Sequence, residues 1–226
     1  MSEAKVHSAT PSANDFAKRS QSLPAHDYVI ETRHGTMALG QRTWLMGIIN
    51  VTPDSFYDGG KRFDPAKAVA DGIELIAAGA DMIDIGGEST RPGAPPVSVE
   101  EELRRVLPVL QGLRRTVKVP ISIDTYKARV ARAALAAGAD IVNDISALRF
   151  DPEMAVLVAT ERVPVVLMHM QGTPQTMQAE PRYTNVLGEV RGFLEARIAI
   201  ALEAGVEREK IIVDPGIGFG KTLDHN

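Results

Sequence analysis

Six apolar runs in this chain carry or meet a polar group near their C-terminal end, and those groups are its candidate chemistry. Leu45 to Ile49 stops at Asn50, and Met82 to Ile85 carries Asp84. Val119 to Asp124 ends on Asp124, Ile141 to Ile145 carries Asn143 and Asp144, Val163 to Met168 meets His169, and Ile211 to Asp214 ends on Asp214. One aspartate at a strand end is usually a helix cap or a loop hydrogen bonder. Six such ends on one side of one sheet are harder to explain that way. Buried carboxylates and amides need partners, which a ligand rich in N–H donors supplies. Many acceptors and few bases suit recognition of a nitrogen heterocycle better than proton abstraction by His169.

Two glycine-rich stretches accompany these groups. Gly86 to Gly93 sets Thr90 and Arg91 among glycines and a proline, and an arginine there can fork onto phosphate oxygens. Gly216-Ile217-Gly218-Phe219-Gly220-Lys221-Thr222 looks like a phosphate loop, but Pro215 occupies the place of the first glycine of a Walker motif. A nucleoside triphosphatase is therefore not expected. His169 has no second histidine near it in sequence, so a structural role is favoured over metal binding.

The runs themselves predict the elements that position these residues. Tyr28-Val29-Ile30 and Met37-Ala38-Leu39 flank Arg33-His34-Gly35-Thr36 as a short hairpin. Six strands then alternate with five helices. Asp64-Pro65 opens the first helix, whose core face reads Ala68, Ile73, Ile76 and Ala77. Ser98 to Glu101 forms a capping box for the second and Thr125 caps the third. A short helix starts at Asp151-Pro152, and a long one spans about Thr184 to Ala204. This alternation predicts a parallel sheet with right-handed crossovers. No GxGxxG follows the first strand, so an α/β fold of the (βα)8 TIM-barrel type is favoured over a dinucleotide-binding sheet. Such a barrel needs about 250 residues and eight units, so the chain is expected to lack the last two.

Strand periodicity groups Asn50 with Ile48 and Met46, Asp84 with Met82, Asp124 with Ser122 and Asp214 with Ile212. The fourth strand offers Asn143 or Asp144 to that face, and the fifth Met168 or His169. Parity does not say which face is which.

Composition narrows the function classes. The chain has 226 residues, 44% hydrophobic and 24% charged, which suits one globular barrel domain from residue 25 to 226. Residues 1–24 are Ser/Ala-rich and aperiodic, and read as a disordered tail. A net charge of −4 gives no nucleic-acid footprint, and no apolar run nears the ~18 residues of a membrane span. Without cysteine there is no disulfide or thiolate chemistry, which fits a reducing cytoplasm.

Six stretches carry a resemblance: Asn-Val-Thr-Pro-Asp-Ser-Phe at 50–56, Asp-Ile-Gly-Gly-Glu-Ser-Thr-Arg-Pro-Gly at 84–93, Ile-Asp-Thr at 123–125, Asn-Asp-Ile at 143–145, Leu-Met-His-Met-Gln-Gly at 167–172 and Asp-Pro-Gly-Ile-Gly-Phe-Gly-Lys at 214–221. Together they resemble the dihydropteroate synthase family, in order from about Tyr28 to Asn226. The resemblance implies a barrel that condenses 4-aminobenzoate with 6-hydroxymethyl-7,8-dihydropterin diphosphate, a target of sulfonamides in folate biosynthesis. It implies Mg²⁺ on the diphosphate with Asn50 beside it, and catalytic roles for Asn50, Arg91 and Asp124. Asp124, Asn143 and Asp214 match the residues on the pterin edge, and Ile145 and Met168 those on its faces. Phe56, Thr90, Arg91 and Pro92 match loops that close over aminobenzoate and diphosphate, and Phe219 matches a wall of the aminobenzoate pocket. A homodimer is also implied.

The family continues beyond Asn226 with strands bearing a pterin-binding lysine and an Arg/His pair. Lys221, in the strand-six loop, is not that lysine. The 226-residue polypeptide is accordingly expected to be marginally stable and not a competent synthase alone. The competing readings are a non-catalytic pterin-binding fragment and a methyltetrahydrofolate-type methyltransferase barrel, the latter disfavoured by the loops at 50–56 and 89–93.

Overall fold

The computed structural model describes residues 28–52 and 64–226, so the expected tail and Phe56 lie outside the described residues. The hairpin forms as expected, with β1 (Tyr28–Thr32) antiparallel to β2 (Gly35–Leu39). Among the described residues six strands then alternate with five helices: β3 (Met46–Asn50), α1 (Pro65–Ala77), β4 (Met82–Gly86), α2 (Val99–Thr116), β5 (Ile121–Asp124), α3 (Ala128–Ala136), β6 (Ile141–Asp144), α4 (Glu153–Glu161), β7 (Val165–Met168), α5 (Val186–Glu203) and β8 (Ile211–Asp214). The strands run parallel in the order β3-β4-β5-β6-β7-β8, so each crossover lands beside its predecessor. That is the order of a TIM-barrel wall. The wall is not closed among the described residues: β3 and β8 are its edges, and Ile48 and Val213 on them are 57% and 47% exposed.

Local chemistry explains the helix ends. The Asp64 carboxylate accepts from the Ala66 and Lys67 amides at the start of α1, and Pro65 needs no partner there. The buried face of α1 differs from the expected one: Ala68 and Gly72 are buried, whereas Ile73 and Ala77 are exposed. Gly72 decides this. A Cβ there would meet side-chain carbons of Ile49 and Leu113 at 2.8 Å, so the bare backbone lets α1 lie close on the sheet and turns Ile73 outward.

At α2 Ser98 Oγ accepts from Glu101 N at 3.2 Å, but the reciprocal half of the box is replaced. Arg104 and Arg105 claim the Glu101 carboxylate instead. Thr125 does not cap α3. Its hydroxyl accepts from Lys127 N, and the first helical amide, Ala128 N, is satisfied by Asp151 from the next unit at 2.8 Å.

Helices and sheet bury one apolar layer between them, including Ile83, Ile85, Leu110, Leu113, Ile123 and Leu167. On the other side of the sheet the hairpin plugs the N-terminal end. There Ile30 and Met37 pack with Met82 and Ile141, against Trp44, Val166 and Ile212. The fully buried Asp140 secures this end, taking hydrogen bonds from Arg114 Nη2 at 2.6 Å, Ile121 N at 2.9 Å and His34 N at 3.1 Å. Access to the sheet interior is thus left to the C-terminal strand ends, where the polar residues lie.

Candidate active site

Strand register sets the first layer of the site. Asn50 pairs with Gly86, Gly86 with Asp124 and Asp124 with Asn143, so four strands bring these residues into one row. Gly86 is the gap in that row. A Cβ on it would lie 3.2 Å from Asp124 Oδ2 and 3.6 Å from Asn50 Oδ1, so both side chains lean over its bare backbone.

One level deeper Asp84 pairs with Ser122. Asn143 Nδ2 donates to Asp84 Oδ2 at 3.1 Å. The amide, not Asp144, therefore faces the barrel interior. Asp144 turns the other way, and its carboxylate accepts from the Ser146 and Leu148 amides at 2.8 Å each.

Asp84 and Ser122 are buried, yet Asp84 Oδ1 and Ser122 Oγ have no hydrogen-bond partner among the described residues. Burial raises the Asp84 pKa, while the neighbouring Ser122 hydroxyl and the Asn143 amide favour its charged form. Burial also raises Asp124, and the negative charges of Asp84, Glu102, Asp144 and Glu88 push it well above the usual carboxylate range. Two such carboxylates resist ionising together, so the pair favours carrying one proton. The pair can then present an acceptor and a donor to a heterocycle edge.

An apolar wall stands beside this row. Ile145, Met168, Met170 and Met177 are buried together, with Tyr126, Phe150 and Phe219 packed against them. Met168 thus takes the place on the site that parity left open between it and His169. His169 is buried on the far side of the backbone, with its ring edge-to-face on Phe193 at 4.9 Å. Burial and the Lys221 charge push its pKa down to about 4, so the ring is neutral near pH 7.

Lys221 Nζ lies 3.0 Å from His169 Nδ1 and donates to the carbonyls of Gly216 at 2.9 Å and Phe219 at 3.1 Å. It therefore ties down the loop that carries Phe219. Gly216 is obligatory in this loop, since φ is 69° and a Cβ would fall 1.9 Å from the His169 carbonyl oxygen. Asp214 is oriented by the same turn, accepting from Gly216 N at 2.7 Å.

The loop after β4 carries Thr90, half-buried, and Arg91 and Pro92, exposed. The Arg91 guanidinium makes no hydrogen bond or ion pair with any described residue. The base of this loop is held by a buried charge cluster that periodicity does not reveal. Lys127 Nζ bridges the carboxylates of Glu88 and Glu102, Tyr126 Oη donates to Glu88 Oε1 at 2.9 Å, and Arg105 Nη1 donates to the Gly87 carbonyl at 2.9 Å. The structure thus gathers Asn50, Asp124, Asn143, Ile145, Met168 and Phe219 at the C-terminal strand ends. It adds Asp84, which the sequence marks as the polar group of its strand and the first residue of the motif at 84–93 but to which it assigns no role.

Comparison with known proteins places these elements in a family. The family described as Pterin binding enzyme matches residues 46–226. A dihydropteroate synthase of Synechocystis sp. is 51% identical over 187 residues, covering 83% of this chain and 65% of its own length. The chain therefore spans about two thirds of the length of such curated relatives. Among solved structures, the Xanthomonas albilineans dihydropteroate synthase with 4-aminobenzoic acid superposes with a TM-score of 0.82 at 48% identity, over 89% of this chain and 71% of that one. The Yersinia pestis dihydropteroate synthase in a sulfonamide drug complex also gives 0.82, at 44% identity over 88% of this chain and 71% of that one.

Proposed function

This chain belongs to the pterin-binding enzyme family, and from that premise we propose that the protein is a dihydropteroate synthase. The reaction forms a bond between the amine nitrogen of 4-aminobenzoate and the exocyclic methylene of 6-hydroxymethyl-7,8-dihydropterin diphosphate. The methylene–oxygen bond breaks, its electron pair leaves with diphosphate, and the amine proton passes to solvent. The observation that carries this reading is the row Asn50–Gly86–Asp124–Asn143 with Asp84 beneath it. A pterin edge presents ring N–H and exocyclic amino donors next to acceptors. Asp124, Asn143 and Asp84 offer complementary groups in a buried place where unpaired polar atoms are costly.

Positive charge develops on the pterin methylene as diphosphate departs, and the one negative charge that the Asp84 and Asp124 pair retains lowers its energy. The aniline is already nucleophilic, so the absence of a strong base from the row is no obstacle. Ile145, Met168 and Phe219 supply flat apolar contact for two aromatic rings. Arg91, exposed on its loop, is the residue for the diphosphate oxygens.

Mg²⁺ fits the same reading. Among the described residues no group of three His, Cys, Asp or Glu forms a metal cage, whereas Asn50 offers one neutral oxygen beside Asp124. Mg²⁺ commonly takes one or two protein oxygens and completes its shell with phosphate and water. Asn50 would hold it, and the bound ion would supply positive charge to the leaving diphosphate. A cytoplasmic homodimer completes the reading on the strength of the family resemblance. No helix among the described residues is long and apolar enough to cross a membrane.

The test is dihydropteroate formation from the two substrates, with Mg²⁺ and after chelation, in the wild type and in Asp124→Ala. Whatever turnover the chain supports should require Mg²⁺. Asp124→Ala should weaken binding of a pterin by about 1–3 kcal/mol, since ring donors lose a buried partner. Unchanged pterin affinity would remove Asp124 from the site. Methyl transfer from methyltetrahydrofolate to a corrinoid acceptor, without dihydropteroate formation, would overturn the assignment.

A further inference from the structure

The turn after β6 is built in an unfavourable backbone conformation. Ala147 and Leu148, neither of them glycine, have φ of 51° and 64°, the left-handed region that L-residues with a Cβ avoid. Two such residues in succession persist only where the surroundings over-determine them. Here they do. The Asp144 carboxylate accepts from the Ser146 and Leu148 amides at 2.8 Å, and the Asp144 carbonyl accepts from Ala147 N at 2.9 Å.

Those bonds account for the amides of the turn but leave its carbonyls, which lie among buried residues. Arg197 on α5 reaches across to them. Its Nε donates to the Ala147 carbonyl at 2.6 Å and its Nη2 to the Leu148 carbonyl at 3.0 Å. Arg149 completes the cage, donating from Nε to the Ser146 carbonyl at 2.8 Å and from Nη2 to that of Met170 at 3.1 Å. Asn143 and Ile145, the amide and the apolar wall of the site, flank Asp144 in the chain, so the geometry of this turn sets where both side chains stand.

We propose that Arg197 is a positioning residue for the heterocycle pocket, acting through the left-handed pair Ala147–Leu148 to fix Asn143 and Ile145. The inference rests on the pterin reading of the site. Its physical content is that a planar guanidinium, forked onto two adjacent carbonyls, selects one conformation of a turn that would otherwise relax. Arg197 lies on α5, half-buried, and is not itself a group that touches the substrate.

The experiment measures binding of 6-hydroxymethylpterin by calorimetry, and hydrogen exchange at the Ser146 and Leu148 amides. Arg197→Met should weaken binding roughly tenfold and speed exchange at both amides, because the turn gains relaxed states in which Asn143 is misplaced. Ala147→Gly removes one methyl and the steric penalty of its φ. Alone it should leave affinity within about twofold, and in the Arg197→Met background it should recover about half of the loss on a logarithmic scale.

A merely structural tie between α5 and the sheet predicts something else: a lower melting temperature with unchanged affinity, and no rescue by glycine. Affinity of Arg197→Met within twofold of the wild type would overturn the inference, as would unchanged exchange or a loss that Ala147→Gly does not repair. If the wild type itself fails to bind the pterin, the reading of the site and the positioning role fall together. The exchange measurement then still reports whether Arg197 holds the turn.

Discussion

Lys127→Met tests the buried charge cluster at the base of the β4 loop. Its ammonium sits between the carboxylates of Glu88 and Glu102, whose side chains are 9% and 1% exposed, and over the Tyr126 ring at 4.8 Å. At contact distance and an effective dielectric near ~20, each ion pair is worth roughly 5 kcal/mol before desolvation is subtracted. Removing one partner of a buried pair, which strands the other, costs about 3–5 kcal/mol. Here one change leaves both carboxylates without a counter-charge. The expected loss is at the upper end of that range, a large share of the ~5–15 kcal/mol that holds a domain together.

Urea unfolding followed by circular dichroism at pH 7 measures it. Lys127→Met/Glu102→Gln should recover at least half of the loss, since the double change leaves only Glu88 charged, and Tyr126 still donates to it. A Lys127→Met loss below about 1 kcal/mol would refute the reasoning, because the cluster would then be behaving as an exposed ion pair.

Two further outcomes concern function and pH. Arg91→Ala should weaken binding of the diphosphate substrate by about 1.5–3 kcal/mol while sparing a pterin without diphosphate, because only phosphate oxygens can take its charged fork. Equal losses for both ligands in parallel calorimetric titrations would mean that Arg91 acts through folding. His169 is held neutral, its pKa depressed from 6.5 to about 4 first by burial and then by Lys221. Stability is therefore undiminished by this group above pH 6.5 and falls as the pH drops toward 4, because the unfolded chain takes up the proton before the folded one does. Unfolding free energies measured across that window should slope less steeply in His169→Gln, and an identical slope would exclude the histidine as the source.

The order of elements was legible because hydrophobic period and turn chemistry are local. Runs such as Leu45 to Ile49 and Ile211 to Asp214 are apolar enough to read as strands, although as edges of the wall they leave Ile48 and Val213 exposed, and Asp64-Pro65 states a helix start on its own. The strand-end residues Asn50, Asp124 and Asp214 were equally legible. A strand of known direction delivers its last residue to the C-terminal end of the sheet whatever the packing around it. Motif resemblance then added Ile145, Met168 and Phe219, which the structure does bring into one cluster.

What remained open were choices that only neighbours in space can make. Period two says which residues share a face, not which face looks inward. Asn143 was chosen over Asp144 by the Asp84 carboxylate 59 positions away, and by the two amides that satisfy Asp144 in its own turn. Gly72 reset the buried face of α1 because Ile49 and Leu113 come within reach of it, which no helical period encodes. Lys127 meets Glu88 and Glu102 across separations of 39 and 25 residues, and Arg197 meets the turn at Ala147 across 50. Local sequence determined that this chain makes a parallel α/β wall with polar strand ends. Tertiary packing decided which charges are buried together, because the energy of a buried charge depends on what surrounds it and not on what precedes it in the chain.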